Sequence, residues 1–283
     1  MQALPLSQNP YASMAEDWNW ALRGFMVPHS CVRFATLKFL AAVDGLADSQ
    51  KLAATTGEQS GDQAACFNAL RDWYNKYYLS YVHEHHDIEE KVYFPWISEQ
   101  VQAKGLPPIS EKVAAQHVDL VKALELLQKL LTELAASAAP QSPTSSKKAE
   151  LLMQLKKEAH AFAGDLFEHL DEEEQNICPL MRKGLAEETV QAKETEIVQS
   201  LGLGMAKMAL PWIYESLLFF DPTPEKRVAA TFYEHLPPPL RFFMWASWTG
   251  EHERSNTGVI EALANGNVPA APAGIFSCSC SKK

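Results

Sequence analysis

The sequence predicts an all-α protein, and three observations support this fold class. Apolar residues recur at helical spacing along most of the 283 residues, which is the pattern of amphipathic helices. Runs of alternating apolar and polar residues, which indicate strands, are nearly absent. Four long amphipathic segments are separated by stretches rich in Gly, Ser or Pro. Helices connected in this way favour an up-down-up-down four-helix bundle.

The first half of this bundle is predicted to be two helices joined by a loop. Residues 1–24 are interpreted as an N-terminal arm, and the first helix is expected to end near Val43, with a break or new start at Pro28. Residues 44–62 are rich in Gly, Ser, Thr and Asp and are predicted to form a loop. The second helix is expected over residues 63–100. Its inward-facing stripe consists of Tyr78, Val82, His85, Glu89, Val92 and Trp96.

The second half of the bundle is also predicted to be two helices. Ser110 is expected to cap a third helix over about residues 111–137, whose inward stripe is rich in leucine. Residues 138–148 have the composition of a flexible linker. A fourth helix follows over about residues 149–183. The four helices together define a bundle over residues 25–185.

The remainder of the chain differs from the bundle in composition. Residues 186–262 are dense in aromatic side chains and interrupted by prolines, and they predict a helical extension that packs on the bundle. A docking surface for another protein is the alternative interpretation of these residues. Residues 263–283, which include Cys278 and Cys280, are interpreted as a disordered tail.

Composition and charge exclude several classes of protein. A net charge of −10 argues against a nucleic-acid surface, which would need a basic stripe. The five cysteines are odd in number and contain no Cys-x-x-Cys pair, so neither a disulfide framework nor a zinc finger is expected. The sequence shows no secretory signal and no apolar run long enough to span a membrane. We therefore expect a soluble protein of a reducing compartment, the cytoplasm or the nucleus.

A motif on the second helix is repeated on the fourth. His85-x-x-x-Glu89-Glu90 is followed by Pro95, and His169-x-x-x-Glu173-Glu174 is followed by Pro179. In both helices the proline lies ten residues after the histidine. Residues four apart lie on one face of a helix, so each imidazole points the same way as its glutamate. Such pairs are ligands for iron, manganese or zinc. The repetition predicts that the two helices play equivalent roles in one site.

The other two helices each place a single histidine within an apolar stripe. These residues are His29 and His117. A lone histidine of this kind is usually a hydrogen-bonded core residue. Four inward histidines with two glutamates beside them would be costly to bury unless a metal ion compensated for their desolvation. The sequence therefore predicts a metal site formed by His29, His85, Glu89, His117, His169 and Glu173.

With these motifs the chain resembles the hemerythrin-like proteins, also called HHE cation-binding domains, over about residues 25–185. The resemblance rests on His29-x-x-x-Arg33, on His85-x-x-x-Glu89-Glu90 with Phe94-Pro95, on His117, and on His169-x-x-x-Glu173-Glu174 with Pro179. It implies that the six predicted ligands hold non-haem iron, as two ions in the Fe2+ or Fe3+ state. It also implies that the two carboxylates and an oxo, hydroxo or O2 ligand bridge the ions.

One departure from the family pattern concerns the third helix. Oxygen-carrying hemerythrins place two histidines one turn apart there, whereas Val113 and Val121 flank His117. Four histidines and two glutamates remain, so reversible oxygen carriage is not expected and a coordination position is left open.

Three further residues are weaker metal candidates. His86 could supply another ligand if the second helix were rotated. Glu90 and Glu174, like His83, are expected beside the ligands or at the surface.

The resemblance implies a protein that binds iron and O2 and acts in their binding, in sensing or in iron homeostasis. The segment from Leu210 to Ile213 is similar to the extension of plant and algal hemerythrin-like iron-responsive proteins. An enzyme is the less favoured alternative, because ferritin-like di-iron oxidases use Glu-x-x-His motifs and none occurs in this sequence. A metal-free helical interaction module, with the histidines as core residues, is the other alternative.

Overall fold

Long helices account for most of the structure, a computed structural model that describes residues 20–56, 63–137, 145–221 and 226–270. No strand occurs within these residues. The three longest helices are α1 (Trp20–Thr56), α5 (Glu111–Ser137) and α6 (Ser145–Gly184). The all-α fold class is thereby confirmed for the described part of the chain.

The segment between α1 and α5 is a helical rod that contains two π-helical turns. In order it consists of α2 (Gln63–Trp73), the turn π1 (Tyr74–Leu79), α3 (Ser80–Ile88), the turn π2 (Glu89–Tyr93) and α4 (Phe94–Gln102). The residues at each junction keep right-handed helical dihedral angles, so the backbone runs through both turns without a break. A π turn inserts one extra residue into the helix and shifts the face presented by the residues that follow.

Shorter helices form the C-terminal part of the protein. They are α7 (Glu187–Ser200), α8 (Leu203–Phe220), α9 (Arg227–His235), α10 (Pro238–Phe243), the turn π3 (Met244–Trp248), α11 (Thr249–His252), the turn π4 (Glu253–Thr257) and α12 (Gly258–Ala264). Residues 271–283, the greater part of the predicted tail, lie outside the described residues, as do residues 1–19 of the predicted arm.

Helix α1 is at the centre of the packing. It lies along α6 on one side and contacts α8 and α12 on another, while α5 packs against α6 and α2. The resulting core contains residues of the bundle and of the C-terminal helices together, among them Phe39, Tyr78, Leu124, Phe162, Trp212 and Ile260. The C-terminal helices therefore share one apolar core with the helices that precede them.

The predicted loop at residues 44–62 is wrong for the described residues up to 56. Helix α1 continues to Thr56, and residues 57–62 lie outside the described part. The reason is tertiary, because a β-carbon on Gly45 would collide with the carbonyl oxygen of Ala264. Gly45 is thus a point of close approach between α1 and α12 and not a turn residue. Packing of α12 stabilises a helix that local composition disfavours.

The predicted break at Pro28 does not occur. Pro28 lies inside α1. This helix begins at Trp20, so residues 20–24, which were interpreted as part of an arm, are helical as well. Proline removes one backbone donor and crowds the carbonyl group four residues earlier, here that of Gly24. Because α1 is buried against α6 and α8, packing holds the helix together across this position.

The inward stripe of the second helical rod was predicted correctly only as far as the turn π2. Tyr78, Val82, His85 and Glu89 are buried, whereas Val92 is exposed. From the last residue of the turn onward, the buried residues are Tyr93, Phe94, Ile97 and Val101. The extra residue of the π turn moves the buried face by one position along the sequence.

The third and fourth helices match their predictions closely. The Ser110 hydroxyl accepts a hydrogen bond of 3.2 Å from the backbone nitrogen of Lys112, as expected of an N-cap. Helix α6 begins at Ser145, within the predicted linker, and residues 138–144 lie outside the described part. No helix in the described ranges has the length and apolar character needed to cross a membrane.

Candidate metal centre

Seven ionisable side chains from five helical elements converge inside the bundle. All of them are buried: His29 on α1, His85 and His86 on α3, Glu89 at the start of π2, His117 on α5, and His169 and Glu173 on α6. Their donor atoms form three groups, and within each group the atoms lie within 4.8 Å of one another. The groups are His29, His85 and Glu89; His86, His117 and His169; and Glu89, His117 and Glu173.

The two carboxylates connect the histidine groups. Glu173 Oε1 lies 3.1 Å from His169 Nε2 and 3.4 Å from His117 Nε2. Its other oxygen, Oε2, lies 3.3 Å from His29 Nε2. Glu89 directs Oε1 to within 3.4 Å of the same His29 atom. Each end of the cluster therefore has its own imidazoles, and Glu173 offers one oxygen to each end.

Two neighbouring histidines of α3 serve opposite ends of the cluster. The ring centroids of His85 and His29 are 5.1 Å apart. The ring of His86 lies 4.5 Å from that of His117 and 5.8 Å from that of His169. His85 thus faces α1, while His86 faces α5 and α6.

The inward atoms of the cluster have no hydrogen-bond partner within the described part of the chain. They are His85 Nε2, both ring nitrogens of His86, Glu89 Oε2, His117 Nε2, His169 Nε2 and both carboxylate oxygens of Glu173. Buried polar groups are almost always hydrogen-bonded, because an unpaired one costs about 1–3 kcal/mol. A set of unpaired imidazole nitrogens and carboxylate oxygens that face one another fits a bound cation of the iron, manganese or zinc type. The residues present are therefore suited to hold a metal.

Hydrogen bonds at the outer nitrogen orient three of the imidazoles. His29 Nδ1 donates to Glu174 Oε1 at 2.8 Å, His117 Nδ1 donates to Glu90 Oε1 at 2.7 Å, and His169 Nδ1 donates to Gln116 Oε1 at 3.2 Å. Donation from Nδ1 leaves Nε2 with its lone pair directed into the cluster. This arrangement is typical of histidine ligands in metalloproteins.

The chain matches a family description over this region. The model of the hemerythrin HHE cation binding domain matches residues 39–181, which is half of the chain. The chain belongs to the hemerythrin HHE family. No curated protein and no solved structure matches it.

Membership of the hemerythrin family assigns cation binding to the helices from the middle of α1 to the end of α6. His29 precedes the matched range, as do Gly24 and Arg33. The structure places the His29 imidazole in the cluster all the same, so this hemerythrin domain uses the first half of α1.

A buried arginine supports the α1 end of this hemerythrin site. Arg33 Nη1 donates to Glu174 Oε1 at 2.7 Å, and Arg33 Nη2 donates to Asp171 Oδ1 at 2.7 Å. Although burial alone would raise the pKa of Glu174, its hydrogen bond with His29 and the charge of Arg33 keep that pKa below the usual value. Glu174 is therefore an anion that holds His29 in place.

Burial and mutual contact set the protonation of the ligands. Burial and the nearby His29 and His86 lower the pKa of His85 far below its usual value, and burial with His117 and His169 does the same for His86. Burial and the neighbouring carboxylate of Glu173 raise the pKa of Glu89 to about 7. His85 and His86 are thus neutral at physiological pH, which is the form that binds metal.

The structure brings together all six residues singled out from the sequence and adds a seventh. His86 was ranked as a weaker candidate, yet it is buried among the ligands with both ring nitrogens unpaired. Glu90 and Glu174 contact the outer nitrogens of His117 and His29, and His83 is not among the grouped residues. A sequence signal for His86 exists in α5. Val113 and Val121 leave this helix with one histidine, where the oxygen-carrying pattern has two, so a further histidine could have been sought on another helix.

Proposed function

We propose that this protein binds two ions of non-haem iron between the four bundle helices and acts in the binding or sensing of iron or oxygen. One observation carries the proposal: eight unpaired nitrogen and oxygen atoms of buried side chains face one another in a bundle of a cation-binding family. Two separate donor groups, linked by a third group that contains both carboxylates, support two ions in place of one.

The two metal positions differ in their protein ligands. One end has the three imidazoles of His86, His117 and His169, and the other has those of His29 and His85. With Glu89 and Glu173 between them, the set comprises five histidines and two carboxylates, the composition that the resemblance associates with oxygen-carrying hemerythrins. On this assignment His86 is a fifth histidine, and the argument against reversible oxygen carriage, which depended on a set of four, loses its basis.

The unequal donor sets suggest where a small ligand would bind. The end with two imidazoles has one protein donor fewer than the other end, so a coordination position is available there. Iron held at this end would have affinity for O2, water or a small anion at the open coordination position. The protein supplies imidazole nitrogens, carboxylate oxygens and a buried setting that excludes bulk water.

The bundle topology and its limits are part of the proposal. Packing of α6 along α1 and α5, and of α2 against α5, supports an up-down-up-down arrangement over residues 25–185. Residues 186–262 then form an extension on the side of α1. The buried cysteines Cys31 and Cys178 are free thiols, which suits a reducing compartment such as the cytoplasm or nucleus.

Metal analysis after anaerobic loading tests the function. We expect about two iron ions per chain in the wild type, judged from the two donor groups. The double variant His85→Ala with His169→Ala removes one imidazole from each end and is expected to lose both ions. His160→Ala is the matched control, because His160 lies on α6 but is exposed and contacts Asp44. Absence of iron in the wild type, or unchanged iron in the double variant, would refute the proposal.

A second function, protein docking, is favoured by the surface of the C-terminal helices. Phe242, Phe243 and Trp245 are exposed, and Trp245 retains 78% of its accessible surface. A groove of about 310 Å³ beside them is lined by Tyr233, Pro238, Arg241, Phe242 and Trp245. Aromatic and arginine side chains of this kind dominate binding energy at protein interfaces.

The similarity of residues 210–213 to iron-responsive proteins supports a role in iron homeostasis, but this segment is buried and does not form the docking surface. Trp212 is buried and its ring lies 5.9 Å from that of Trp73 and 5.6 Å from that of Tyr81. This segment therefore attaches the extension to the helical rod that carries His85. The docking surface proper lies further along the chain, at residues 233–245.

A further inference from the structure

Helix α7 lies across the end of the bundle next to the metal centre. Val190 is its one fully buried residue, and it belongs to an apolar cluster with Phe25, Tyr93 and Phe94. The Phe25 ring lies 5.4 Å from the ring of His29 and 5.7 Å from that of Tyr93. Aromatic side chains therefore separate the ligand His29 from α7.

Two polar contacts attach α7 to this aromatic wall. Arg23 Nη2 donates to Glu187 Oε1 at 3.2 Å, a contact that is partly exposed on both sides. Near the middle of the helix, the Tyr93 hydroxyl donates to Glu194 Oε1 at 3.2 Å. A helix with one buried apolar residue depends on such contacts, because apolar burial alone is small.

The Glu194 carboxylate occupies a notch over Gly24. A methyl group at the Cα of Gly24 would collide with Glu194 Oε1 and would also lie 3.3 Å from the Tyr93 hydroxyl oxygen. The carboxylate is thus held where helix α1 has no side chain. Glycine at this position is required by close approach.

No cation is paired with Glu194 among the described residues. The charged and titratable groups around it are Tyr93 on π2, Arg23 on α1, and Glu187 on its own helix, and Arg23 is bonded to Glu187. Burial raises the pKa of Glu194 to about 7, and the charge of Glu187 adds to this, while Tyr93 and Arg23 oppose it. A half-buried carboxylate without a paired cation favours its neutral form.

We propose that the protonated Glu194 side chain fastens helix α7 to the bundle. Its ionisation then releases α7 and opens the aromatic wall beside His29 to solvent. In the fastened state the neutral carboxyl accepts from Tyr93 and lies over Gly24. After ionisation the anion is desolvated as long as α7 is fastened. The state in which α7 has separated from the bundle and Glu194 is hydrated is therefore favoured. The first part of the proposal concerns α7 alone, and the second part rests on the proposed metal function.

The direction of the pH effect follows from linkage. The pKa of Glu194 is about 7 when α7 is fastened, against an ordinary value of 4.5 for a glutamate in water. Because the carboxyl pKa is raised in the fastened state, this state is fully stabilised below pH 4.5. The stabilisation is lost as the pH rises through about 7. Between pH 6 and pH 8 the equilibrium constant for opening is expected to increase by about tenfold.

Hydrogen exchange of the α7 backbone amides in the metal-free full chain, corrected for the intrinsic pH dependence of exchange, tests the fastening. We expect about tenfold faster opening at pH 8 than at pH 6 in the wild type. E194Q cannot ionise and should show equally slow opening at both values. E196Q is the matched control, since Glu196 lies on the same helix with its side chain 69% exposed, and it should behave as the wild type. A flat wild-type profile, or the same pH response in E194Q, would overturn the proposal.

Release of bound metal tests the second part. At pH 8 a chelator is expected to remove iron from loaded E194Q several-fold more slowly than from wild type, because α7 stays closed. G24A, whose methyl group displaces the carboxylate, should show fast opening at both pH values once circular dichroism has verified its fold. If exchange follows the expectation but metal release is equal in wild type and E194Q, the access role is overturned. Failure to load iron at all would instead refute the proposed metal function.

Discussion

The imidazole rings of His86 and His117 stack with their centroids 4.5 Å apart, although the two residues belong to different helices. Neither residue has a hydrogen-bond partner for its Nε2 atom. One turn from His117, α5 carries valine on either side, so no second histidine is available from that helix. His86 of α3 lies beside His117 instead, and we propose that it completes the three-imidazole end of the site.

Replacement of His86 tests this assignment. The variant His86→Ala leaves two of three imidazoles at that end, so we expect about one iron ion per chain in place of two. His83→Ala on the same helix is the control and should retain both ions. Iron content measured after anaerobic loading and desalting decides the matter, and two ions in His86→Ala would contradict the role of His86.

Glu90 and Glu174 are expected to tune affinity without binding the metal. The variants Glu90→Gln and Glu174→Gln keep the side-chain size but remove the anion that accepts from His117 or His29. Loss of such outer partners lowers metal affinity by about 10–100-fold. Competition with a chromophoric chelator measures this change. The exposed residue Glu168, also on α6, supplies the control Glu168→Gln, whose affinity should equal that of the wild type.

Metal loading is expected to stabilise the fold. Bound metal satisfies the unpaired atoms of Glu89 and Glu173, and a ligand that binds only the folded state stabilises it by about 4 kcal/mol at one thousand times its dissociation constant. Thermal unfolding with and without ferrous iron should therefore show a higher Tm for the loaded protein. The double variant His85→Ala with His169→Ala should show no such increase, and an equal increase there would point to binding elsewhere.

Trp212 is expected to contribute strongly to stability. Its side chain is buried against Trp73 and Tyr77, and truncation of a buried tryptophan to alanine costs about 3–5 kcal/mol. Trp245→Ala removes a ring of the same size that is exposed, and it should change the free energy of unfolding by less than about 0.5 kcal/mol. Urea denaturation followed by circular dichroism compares the two variants, and equal costs would mean that the extension does not share the core.

Gly45 is expected to tolerate no side chain. Gly45→Ala places a methyl group against the Ala264 carbonyl, so α12 must shift away from α1 and the protein should lose stability. Gly204 on α8 has open space around it, and Gly204→Ala should be neutral or stabilising by about 0.4–1 kcal/mol. The same denaturation experiment measures both, and a neutral Gly45→Ala would show that the contact between α1 and α12 is adaptable.

The sequence by itself determined the helical fold class, the extents of α5 and α6 and the repeated ligand pair. These features depend on local properties: the helical spacing of apolar residues, the cap at Ser110 and the alignment of residues four apart. His85 with Glu89, and His169 with Glu173, share a face in any helix that contains them. The single inward histidines of the other two helices, His29 and His117, were predicted as their partners, and the family resemblance implied the same role.

Tertiary structure alone decided the features that depend on distant neighbours. Helix α1 continues past Gly45 because α12 packs there, and the buried face of the second rod changes at π2 from Val92 to Tyr93. The role of His86 depends on the approach of α5 and α6, which places His117 and His169 beside it. Local spacing determines the face of the helix on which a side chain lies. The packing of the other helices determines which residues it contacts, and a metal site requires ligands from several helices to come together.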